Sequence, residues 1–424
     1  MLPLKNIKVV DLSRVLAGPL CTMLLADMGA NVLKVEEPRK GDDTRSWLPP
    51  SAAIKSDAAA PHLPPESTYF LSTNRNKRSI GVDIKHHLGQ KIIHNLVKDA
   101  HVFVENFLPN KLAKYNLDYK TIKQINPGII YASISGYGQT GPYANAPGYD
   151  VLIEAEAGLM HITGEKDGNP VKVGVAITDI TTGLYAHGAI LASLFHNMRT
   201  GEGAHLDINL FDSQIASLAN IASNYLITGK EATRHGTAHP SIVPYQTFAT
   251  ADGQIMIGAG SDVQFESLAH VLNRLEWLQG DKFVSNAGRV KNRGELLGEL
   301  SQMLKKHNTA HWLETFKFSK VRFSYGPINN MQQTFEHPQA VARDVVTEVE
   351  HPRIGNIKLT SPAVGYSGER LQVTRAPPYL AQHTTEILKE EGYQDAEIAK
   401  LMKQGAVVDN SICTAEGPGR HSKL

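Results

Sequence analysis

The sequence predicts an α/β protein with a Rossmann-like, doubly wound large domain and a smaller α+β domain. Near the N-terminus, apolar runs of strand length alternate with helical patterns, which is typical of βαβ units and a parallel sheet. Between residues 231 and 330 the pattern changes to short runs separated by tight turns, which predicts antiparallel strands with helices. After residue 330, further patterns indicate a return to the first domain, so that both chain ends build it.

A chain of 424 residues can bury a large core and is long enough for two domains. We expect residues 1–230 to form the N-terminal part of the large domain and residues 231–330 to form the small domain. Residues 331–408 then return to the large domain. The polar residues 409–424 predict a disordered tail.

The first βαβ unit begins close to the N-terminus. Ile7–Leu12 is predicted as a buried strand, Leu20–Met28 as a helix, and Asn31–Val35 as the second strand. Glu36 follows at the position where a dinucleotide-binding fold often has the acid that binds ribose. The loop between the first strand and the helix nevertheless lacks GxGxxG, which disfavours a nicotinamide cofactor.

The remaining elements are predicted from the same patterns. Strands are expected at Ser79–Ile84, His101–Glu105, Ile129–Ile134, Ala204–Leu210 and Gln254–Gly258. Helices are expected at Gly89–Val97, Ser213–Leu226, Ser261–Asn273 and Arg293–His307. The elements expected to return to the large domain are Gln339–Arg343, Gly355–Thr360 and Thr384–Gly392.

The composition excludes several function classes. The chain has 43 Lys and Arg against 42 Asp and Glu, a formal net charge of +1, so no nucleic-acid surface is expected. Cys21 and Cys413 are the only cysteines, too few for a disulfide framework or a thiolate metal cage. The 18 histidines show no HExxH spacing, and no metal site is predicted. No apolar run is long enough to span a bilayer, so no membrane partner is expected.

One carboxylate, Asp179, is predicted at the start of a long apolar helix that ends at Gly201. Apolar residues recur along this helix at helical spacing, at Leu184, Leu191, Leu194 and Met198. At an N-cap position, free backbone N–H groups and the positive end of the helix dipole should keep Asp179 ionised. Taken alone, the residue is more simply interpreted as a helix cap.

Eight motifs in chain order carry a resemblance to a known family. Besides the segment around Asp179, they are 11–19 (DLSRVLAGP), 27–36 (DMGANVLKVE), 41–47 (GDDTRSW), 76–79 (NKRS), 104–107 (VENF), 135–138 (SGYG) and 200–203 (TGEG). Together they resemble the class III CoA-transferases, which include formyl-CoA transferases and acyl-CoA racemases. The resemblance spans Leu4 to Gly392.

The resemblance implies a large doubly wound domain with a small domain inserted, and a homodimer of two interlocked subunits. It also implies that CoA thioesters are substrates and that no cofactor stays bound. In the family's reaction the Asp179 carboxylate attacks the acyl-CoA carbonyl and expels CoA thiolate, which leaves an acyl-aspartyl anhydride. The thiolate then forms an aspartyl-CoA thioester and releases the first acid, and a second acid reverses these steps. The dicarboxylate members move CoA among succinyl, glutaryl and hydroxymethylglutaryl acids.

The resemblance also assigns site residues. Gly258 and Gly260 would join Asp179 in catalysis, because a glycine-rich loop can donate N–H groups to tetrahedral oxyanions. An ordinary turn at a strand end is the alternative for this loop. The residues implied in CoA binding are Val15, Leu16, Ala17, Lys77, Arg78, Asn106, Phe107 and Lys114. The residues implied in binding the acid are Trp47, Ser135, Tyr137 and Arg322.

Three of these positions bear on the choice of acid. Leu16 stands where some relatives have Gln, and Ser135 stands where formyl-CoA transferases have Lys, which disfavours a formyl or oxalate substrate. A dicarboxylate leaves one carboxylate unreacted, and Arg322 is the predicted cation for it. A solvated surface arginine is the alternative for Arg322.

Three other functions stay open. A racemase of the same family removes the α-proton of an acyl-CoA with a His and Asp pair. The position of that His holds Tyr149, and a tyrosine pKa near ~10 makes a poor base at neutral pH. A nucleotide-binding oxidoreductase would use the same βαβ scaffold. The third alternative is a non-catalytic CoA-binding protein, and Asp179 is the only feature that argues against it.

Two features predict different compartments. The dicarboxylate members that this chain resembles act in mitochondria, whereas Ser422-Lys423-Leu424 matches a peroxisomal import signal. The resemblance covers most of the chain, and the signal covers three residues. We therefore expect a mitochondrial protein, with a peroxisomal location as the alternative.

Overall fold

The main sheet of the structure, a computed structural model that describes residues 2–412, has seven strands, and six of them are parallel. They are β1 (Lys8–Asp11), β2 (Asn31–Glu36), β3 (Arg78–Val82), β4 (Val102–Glu105), β5 (Ile130–Ser135) and β6 (Ala204–Asn209). Their spatial order is β3-β2-β1-β4-β5-β6, with parallel pairing throughout. The strand order reverses between β1 and β4, which makes this position the topological switch point. The predicted parallel sheet of an α/β fold is therefore confirmed.

Helices pack on both faces of this sheet. The helices up to residue 228 are α1 (Ala17–Asp27), α2 (Thr68–Ser72), α3 (His87–Val97), α4 (Tyr119–Ile125), α5 (Asp150–Glu156), α6 (Leu159–Ile162), α7 (Ile177–Thr200), α8 (Leu210–Ser217) and α9 (Asn220–Thr228), with short 3-10 helices at Asp43–Ser46 and Ala113–Tyr115. Of these, α6 lies mostly in the second unit. Val9 of β1 packs with residues of α1 and α7, whereas Val10 packs with residues of α3 and α4. Burial on both faces explains why the central strands lack the alternation of polar and apolar residues typical of a half-exposed sheet.

A second unit, formed by Met160–Lys172 and Gly229–Pro338, has an apolar core of its own. Its antiparallel sheet has the order β7 (Tyr245–Ala249), β8 (Gln254–Gly258) and β9 (Ser324–Pro327). Its helices are α10 (Asp262–Val271), α11 (Asn286–Lys291), α12 (Arg293–Leu304), α13 (Thr309–Phe318) and α14 (Met331–Phe335), with a 3-10 helix at Leu275–Leu278. The predicted range 231–330 omitted residues 160–172. They contact this unit through Arg234, whose Nη1 donates to the His161 carbonyl oxygen at 2.8 Å.

The C-terminal segment belongs to the first unit from residue 339 onward. Its elements are α15 (Pro338–Ala342), β10 (Val346–His351), β11 (Gly355–Thr360), β12 (Gly365–Tyr366), β13 (Glu369–Arg370), α16 (Thr384–Glu390), α17 (Asp395–Lys403) and β14 (Val407–Val408). β14 pairs antiparallel with β3, and α16 and α17 add apolar residues to the core around Val10. Segments from both ends of the chain therefore build this unit.

Residues 409–412 differ from the predicted disordered tail. The Asp409 carboxylate accepts a hydrogen bond from the N–H of Thr385 at 2.7 Å, and Asn410 Nδ2 donates to the Leu380 carbonyl oxygen at 2.9 Å. These contacts hold the chain after β14 against α16. Residues 413–424, which include Ser422-Lys423-Leu424, lie outside the described residues.

Two helical regions also differ from the prediction. Ser213–Leu226, predicted as one helix, is divided into α8 and α9, and Ala219 between them has a left-handed φ of 48°. Of the apolar residues predicted along α7, Leu194 is buried and Leu191 packs against the core. Leu184 and Met198 are instead exposed by 52% and 81%. Within residues 2–412, no helix has both the length and the apolar character needed to cross a membrane.

Candidate active site

A cavity of about 310 Å³ lies at the carboxyl ends of β1, β4 and β5, beside the topological switch point. Ligands of open α/β sheets bind in this position, outside the carboxyl ends of the strands. The predicted site residues that line it are Val15, Leu16, Ala17, Asn106, Phe107, Ser135 and Asp179. The structure therefore brings the predicted nucleophile together with two of the predicted CoA-binding loops.

Asp179 occupies the third position of α7 and not the predicted N-cap. The helix begins at Ile177, and its N-cap residue Ala176 makes no capping hydrogen bond through its side chain. The carboxylate of Asp150 takes this role, because its Oδ1 accepts hydrogen bonds from the N–H of Thr178 at 2.9 Å and of Asp179 at 3.1 Å. The side chain of Asp179 is thereby left to line the cavity.

The ionisation of Asp179 also differs from the prediction. Burial, and secondarily the charge of Asp150, raise the pKa of the Asp179 carboxyl group from 3.8 to about 7. The positive end of the helix therefore does not keep this group fully ionised at neutral pH. A carboxyl group with a strongly raised pKa that faces a cavity is typical of a functional site.

Tyr69 is a residue that the sequence analysis missed. Burial, followed by the negative charges of Asp179, Asp150 and Asp42, raises the pKa of Tyr69 to about 12. Its phenol therefore lies in the electrostatic field of the proposed nucleophile. Trp47, predicted to bind the acid, contacts the Tyr69 ring edge-on, with ring centroids 5.0 Å apart. Trp47 itself is not among the residues that line the Asp179 cavity.

A second cavity, of about 600 Å³, adjoins the first and is lined by both basic and acidic side chains. The residues that line both cavities are Arg14, Asp43, Phe107 and Lys111. Lys114, predicted to bind CoA, lines the second cavity together with Lys40 and Lys85. Arg14 and Lys111 were missed, although each lies within three residues of a predicted residue. These side chains supply the cations that the phosphates of a nucleotide require.

The structure corrects the predicted role of Lys77 and Arg78 in CoA binding. Both lie at the amino end of β3, whereas the cavities lie at the carboxyl ends of strands. Lys77 is fully buried, and its ammonium group donates to the Asp11 carboxylate at 3.2 Å. Arg78 forms ion pairs with Glu386 and Glu390, each at 2.7 Å. Both cations are committed to protein carboxylates, a property that the Lys-Arg dipeptide alone does not reveal.

Ser135 and Tyr137, predicted to bind the acid, make local contacts. Ser135 Oγ accepts a hydrogen bond from the N–H of Gly138 at 3.0 Å and so stabilises the turn after β5. The Tyr137 hydroxyl donates to Glu156 Oε2 at 2.7 Å. Ser135 lines the Asp179 cavity, whereas Tyr137 is not among the lining residues.

Gly258, Gly260 and Arg322 belong to the second unit. A Cβ atom added to Gly260 would lie 2.3 Å from Cγ2 of Ile242, so the close approach at this position requires glycine. The Gly260 carbonyl oxygen accepts a hydrogen bond from Arg289 Nη2 at 2.9 Å, which holds the loop after β8. Arg322 is exposed. The catalytic role of the two glycines and the carboxylate-binding role of Arg322 stay predictions.

The cysteine thiol near β1 is not available as a nucleophile. Cys21 is fully buried in α1, and burial raises the pKa of its thiol far above neutral pH, so it stays protonated. Among residues 2–412, no group of three His, Cys, Asp or Glu side chains is placed to hold a metal ion. The carboxylate of Asp179 is thus the group in the cavity with the ionisation expected of a nucleophile.

Comparison with known proteins agrees with this geometry. Residues 4–384 match the family described as CoA-transferase family III. The succinyl-CoA:glutarate CoA-transferase of Homo sapiens is 50% identical over 406 residues, which are 96% of this chain and 90% of that protein. The succinate–glutarate CoA-transferase of Agrobacterium fabrum is 42% identical over 388 residues, 92% of this chain and 95% of that protein.

A solved structure gives the same result at the level of the fold. The crystal structure of a CAIB/BAIF family protein from Brucella suis superposes with a TM-score of 0.81 at 40% identity, and covers 92% of this chain and 99% of that chain. The family match, the relatives and the fold agree over nearly the whole chain. The chain therefore belongs to CoA-transferase family III, and it is an enzyme of this class with CoA thioesters as its substrates.

Proposed function

We propose that this enzyme transfers CoA from succinyl-CoA, or from hydroxymethylglutaryl-CoA, to a dicarboxylic acid such as glutarate. The observation that carries the proposal is Asp179, a half-buried carboxyl group with a raised pKa that lines a cavity at the switch point and does not cap its own helix. The names of the relatives from Homo sapiens and Agrobacterium fabrum support succinyl-CoA as donor and glutarate as acceptor. Hydroxymethylglutaryl-CoA as a second donor rests on the resemblance of the motifs.

In the proposed reaction Asp179 carries the acyl group and then CoA. One carboxylate oxygen attacks the succinyl-CoA carbonyl carbon, the C–S bond breaks, and CoA thiolate leaves behind a succinyl-aspartyl anhydride. The thiolate attacks the aspartyl carbonyl, which breaks the anhydride C–O bond and releases succinate. Glutarate then attacks the aspartyl-CoA thioester and expels the thiolate. Attack of the thiolate on the glutaryl carbonyl forms glutaryl-CoA and restores the carboxylate.

The raised pKa of Asp179 suits this role. A carboxylate with a pKa of about 7 is more basic, and hence more nucleophilic once ionised, than one with the ordinary value of 3.8. Burial limits the access of water, which would otherwise hydrolyse the anhydride. We further propose that the loop with Gly258 and Gly260 donates N–H groups to the oxyanions of these steps.

CoA is proposed to occupy both adjoining cavities. The thioester would lie beside Asp179, and the loops that contain Val15, Leu16, Ala17, Asn106 and Phe107 would line the pantetheine arm. The phosphates would contact cations of the second cavity, with Lys114 as predicted and with Arg14 and Lys111 in addition. Shared cations at the junction of the two cavities support a single extended ligand.

A panel of acceptor acids tests the proposed substrate. Purified enzyme is incubated with succinyl-CoA and with glutarate, adipate, oxalate, formate or acetate, and the acyl-CoA products are identified by mass. Glutaryl-CoA should form at least about tenfold faster than acetyl-CoA or formyl-CoA, because these monocarboxylates lack the second carboxylate, whose contact is worth more than about 1 kcal/mol. Asp179→Ala is the control and should form none. Equal rates with acetate and glutarate would contradict dicarboxylate specificity.

The role proposed for Arg322 has a separate test. Arg322→Gln removes the cation and keeps a side chain of similar size. If Arg322 binds the unreacted carboxylate, the KM for glutarate rises about tenfold in this variant. An unchanged KM would leave Arg322 as an exposed surface residue.

We also propose a homodimer of interlocked subunits. Large apolar side chains are exposed along α7 and α9, and Met198, Leu226 and Ile227 are each exposed by 80–81%. Extended apolar surface of this kind is typical of protein interfaces, and a second copy of the chain is the proposed cover. Light scattering at assay concentration should give the mass of two chains. A fully active monomer would contradict the proposal.

The mitochondrion is the proposed location, on the resemblance to the dicarboxylate members of the family. The peroxisome is the alternative, because Ser422-Lys423-Leu424 matches its import signal. Imaging of the full-length protein with and without Leu424 decides between them. Peroxisomal puncta that disappear when Leu424 is deleted would overturn the mitochondrial proposal.

A further inference from the structure

Val15, in the loop between β1 and α1, has a backbone conformation that β-branched residues rarely adopt. Its φ is 71°, in the left-handed region, where the branched side chain crowds the backbone. Val15 lines the same cavity as Asp179, as do its neighbours Leu16 and Ala17. Strained residues of this kind persist only where the surrounding structure holds them.

A buried carboxylate holds Val15 from the side of β2. Asp42 Oδ1 accepts a hydrogen bond from the N–H of Val15 at 3.1 Å. Asp42 Oδ2 accepts a hydrogen bond from Lys34 Nζ at 2.9 Å, and Lys34 Nζ also donates to the Ser13 carbonyl oxygen at 3.0 Å. The side chains of Asp42 and Lys34 are both fully buried. Burial opposes the ionisation of Asp42, but the charge and hydrogen bond of Lys34, together with the N–H groups of Thr44 and Val15, outweigh it and lower the pKa of Asp42 to about 2.

Asn106, after β4, holds the preceding residue from the other side. Its Oδ1 accepts a hydrogen bond from the N–H of Arg14 at 2.9 Å, and its Nδ2 donates to the Arg14 carbonyl oxygen at 2.7 Å. The peptide group that links Arg14 to Val15 is therefore fixed at its oxygen by Asn106 and at its N–H by Asp42. Few degrees of freedom are left for this turn.

We propose that Asp42 is a positioning residue that holds Val15 in its left-handed conformation and thereby sets the loop that lines the Asp179 cavity. Lys34 keeps the carboxylate of Asp42 in place, and Asn106 fixes the preceding residue. The inference rests on the proposed role of this loop in binding CoA. Without the Asp42 acceptor, Val15 relaxes to a negative φ, which rotates the backbone and displaces Leu16 and Ala17 from the cavity wall.

The test compares two double variants that both remove the buried ion pair. Lys34→Met/Asp42→Asn keeps an oxygen that accepts from Val15, whereas Lys34→Met/Asp42→Ala does not. The second should bind CoA about 30-fold more weakly than the first by calorimetry, and it should lose transferase activity in parallel. Thr44→Val is a control, because it removes a different contact of Asp42 and leaves the Val15 N–H bond in place.

Val15→Gly, added to each double variant, separates positioning from a general structural role. Glycine adopts a positive φ at no steric cost, so the loop no longer depends on Asp42. The ratio of the two CoA affinities should fall from about 30 to below about threefold. A ratio that stays near 30 in the presence of Val15→Gly would overturn the proposal.

A second measurement applies if the Asp42→Ala variant does not fold. In the otherwise unchanged enzyme, Val15→Gly should melt about 1–2 °C above Val15→Ala, because alanine still has a side chain at the left-handed position. Equal melting temperatures, or a lower one for Val15→Gly, would overturn the proposal. The readouts of CoA affinity and melting do not require exchange. An enzyme that binds CoA but does not form glutaryl-CoA would therefore contradict the proposed substrate and leave the positioning of Val15 intact.

Discussion

Asp179 and Lys111 at one end of the main sheet and Arg78 at the other end use their charges in different ways. At the carboxyl ends, Lys111 lines the cavities, and Asp179 has a pKa raised to about 7 because burial disfavours its charge. At the amino end of β3, Arg78 is paired with Glu386 and Glu390, each at 2.7 Å. Charges of the first kind are available to a ligand, whereas charges of the second kind are already satisfied by the protein.

The position of a cationic motif on its strand decides how the motif should be interpreted. The resemblance implied both the Lys-Arg dipeptide at the start of β3 and Lys114 after β4 in CoA binding. The two sets of cations lie at opposite ends of their strands. In an α/β sheet only the carboxyl ends adjoin the ligand crevice. Loss of a charge at one end should therefore affect the reaction, and loss at the other should affect stability.

The largest effect is expected at Asp179. Asp179→Asn removes the nucleophile and should lower the rate of exchange by at least ~10⁴-fold, because no other group can carry the acyl intermediate. Asp43→Asn is the matched control, as Asp43 lines the same cavity, and it should keep most of the activity. The rate is followed as glutaryl-CoA formed from succinyl-CoA. Asp179→Asn with activity within tenfold of the wild type would rule out the proposed mechanism.

Substitution of one cation at each end of the sheet tests whether its charge serves the ligand or the stability of the fold. Lys111→Ala should raise the KM for succinyl-CoA about tenfold through the loss of a phosphate contact, with an unchanged melting temperature. Arg78→Ala should leave that KM unchanged and lower the free energy of unfolding by roughly 1 kcal/mol, since its partners Glu386 and Glu390 are half exposed. Steady-state kinetics and thermal melting measure the two effects. The opposite assignment, with KM raised by Arg78→Ala alone, would refute the comparison.

Asp150→Asn should move the pH dependence of catalysis. Activity requires ionised Asp179, so kcat/KM rises as pH passes through the Asp179 pKa of about 7. Removal of the Asp150 charge lets Asp179 ionise more easily. The rise of kcat/KM with pH should therefore shift by about one pH unit toward acid. The asparagine oxygen still accepts from the N–H groups of Thr178 and Asp179, so the cap is kept. Tyr69, whose pKa is raised to about 12 by burial and by the charge of Asp179, stays protonated over this pH range.

Asp150→Ala is the companion variant, because it removes both the charge and the cap. It should shift the same rise of kcat/KM toward acid and also lower the melting temperature, since two N–H groups of α7 lose their acceptor. A pH profile that does not move in Asp150→Asn would show that Asp150 acts only as a cap.

The smallest effect is on stability. The pKa of Asp179 is near 3.8 in the unfolded chain and about 7 in the folded protein, so the folded state keeps a proton that the unfolded state loses. Stability therefore falls as pH rises from about 4 to about 7, and the cost is complete above pH 7. Asp179→Asn should be more stable than the wild type by on the order of 1 kcal/mol at pH 8, with no difference below pH 4. Melting curves at both pH values measure it, and a variant less stable at pH 8 would contradict the raised pKa.

Much of the fold could be predicted from local patterns. β8 and β11 have the predicted bounds, and β1 lies one residue inside its prediction at each end. These runs are bounded by turn residues, so the sequence marks their ends. The assignment of residues 160–172 to the second unit could not be predicted, because it depends on contacts such as that of Arg234 with His161, 73 residues away. The break at Ala219 has no glycine or proline to mark it.

The candidate site, like the fold, could be predicted only in part from the sequence. Asp179 and the loops after β1 and β4 were identified through the motifs, and the parallel sheet brings them together. The cap on α7 could not be predicted, because Asp150 lies 29 residues before the N–H group of Asp179 that it accepts from. The partners of Arg78 lie more than 300 residues away in the chain. Local patterns indicate which residues are charged, but the tertiary contacts decide which charges are free for a ligand.

Transfer of an oxygen isotope to Asp179 tests directly whether this carboxylate carries the acyl group and CoA during exchange. Enzyme is turned over with succinyl-CoA and glutarate whose carboxylates carry ¹⁸O, and the peptide that contains Asp179 is then analysed by mass spectrometry. Attack of glutarate on the aspartyl-CoA thioester places one ¹⁸O in the anhydride bridge, and thiolate attack on the glutaryl carbonyl leaves that atom on Asp179. We expect incorporation of ¹⁸O into Asp179 and into no other residue. Formation of glutaryl-CoA with no label on Asp179 would contradict it.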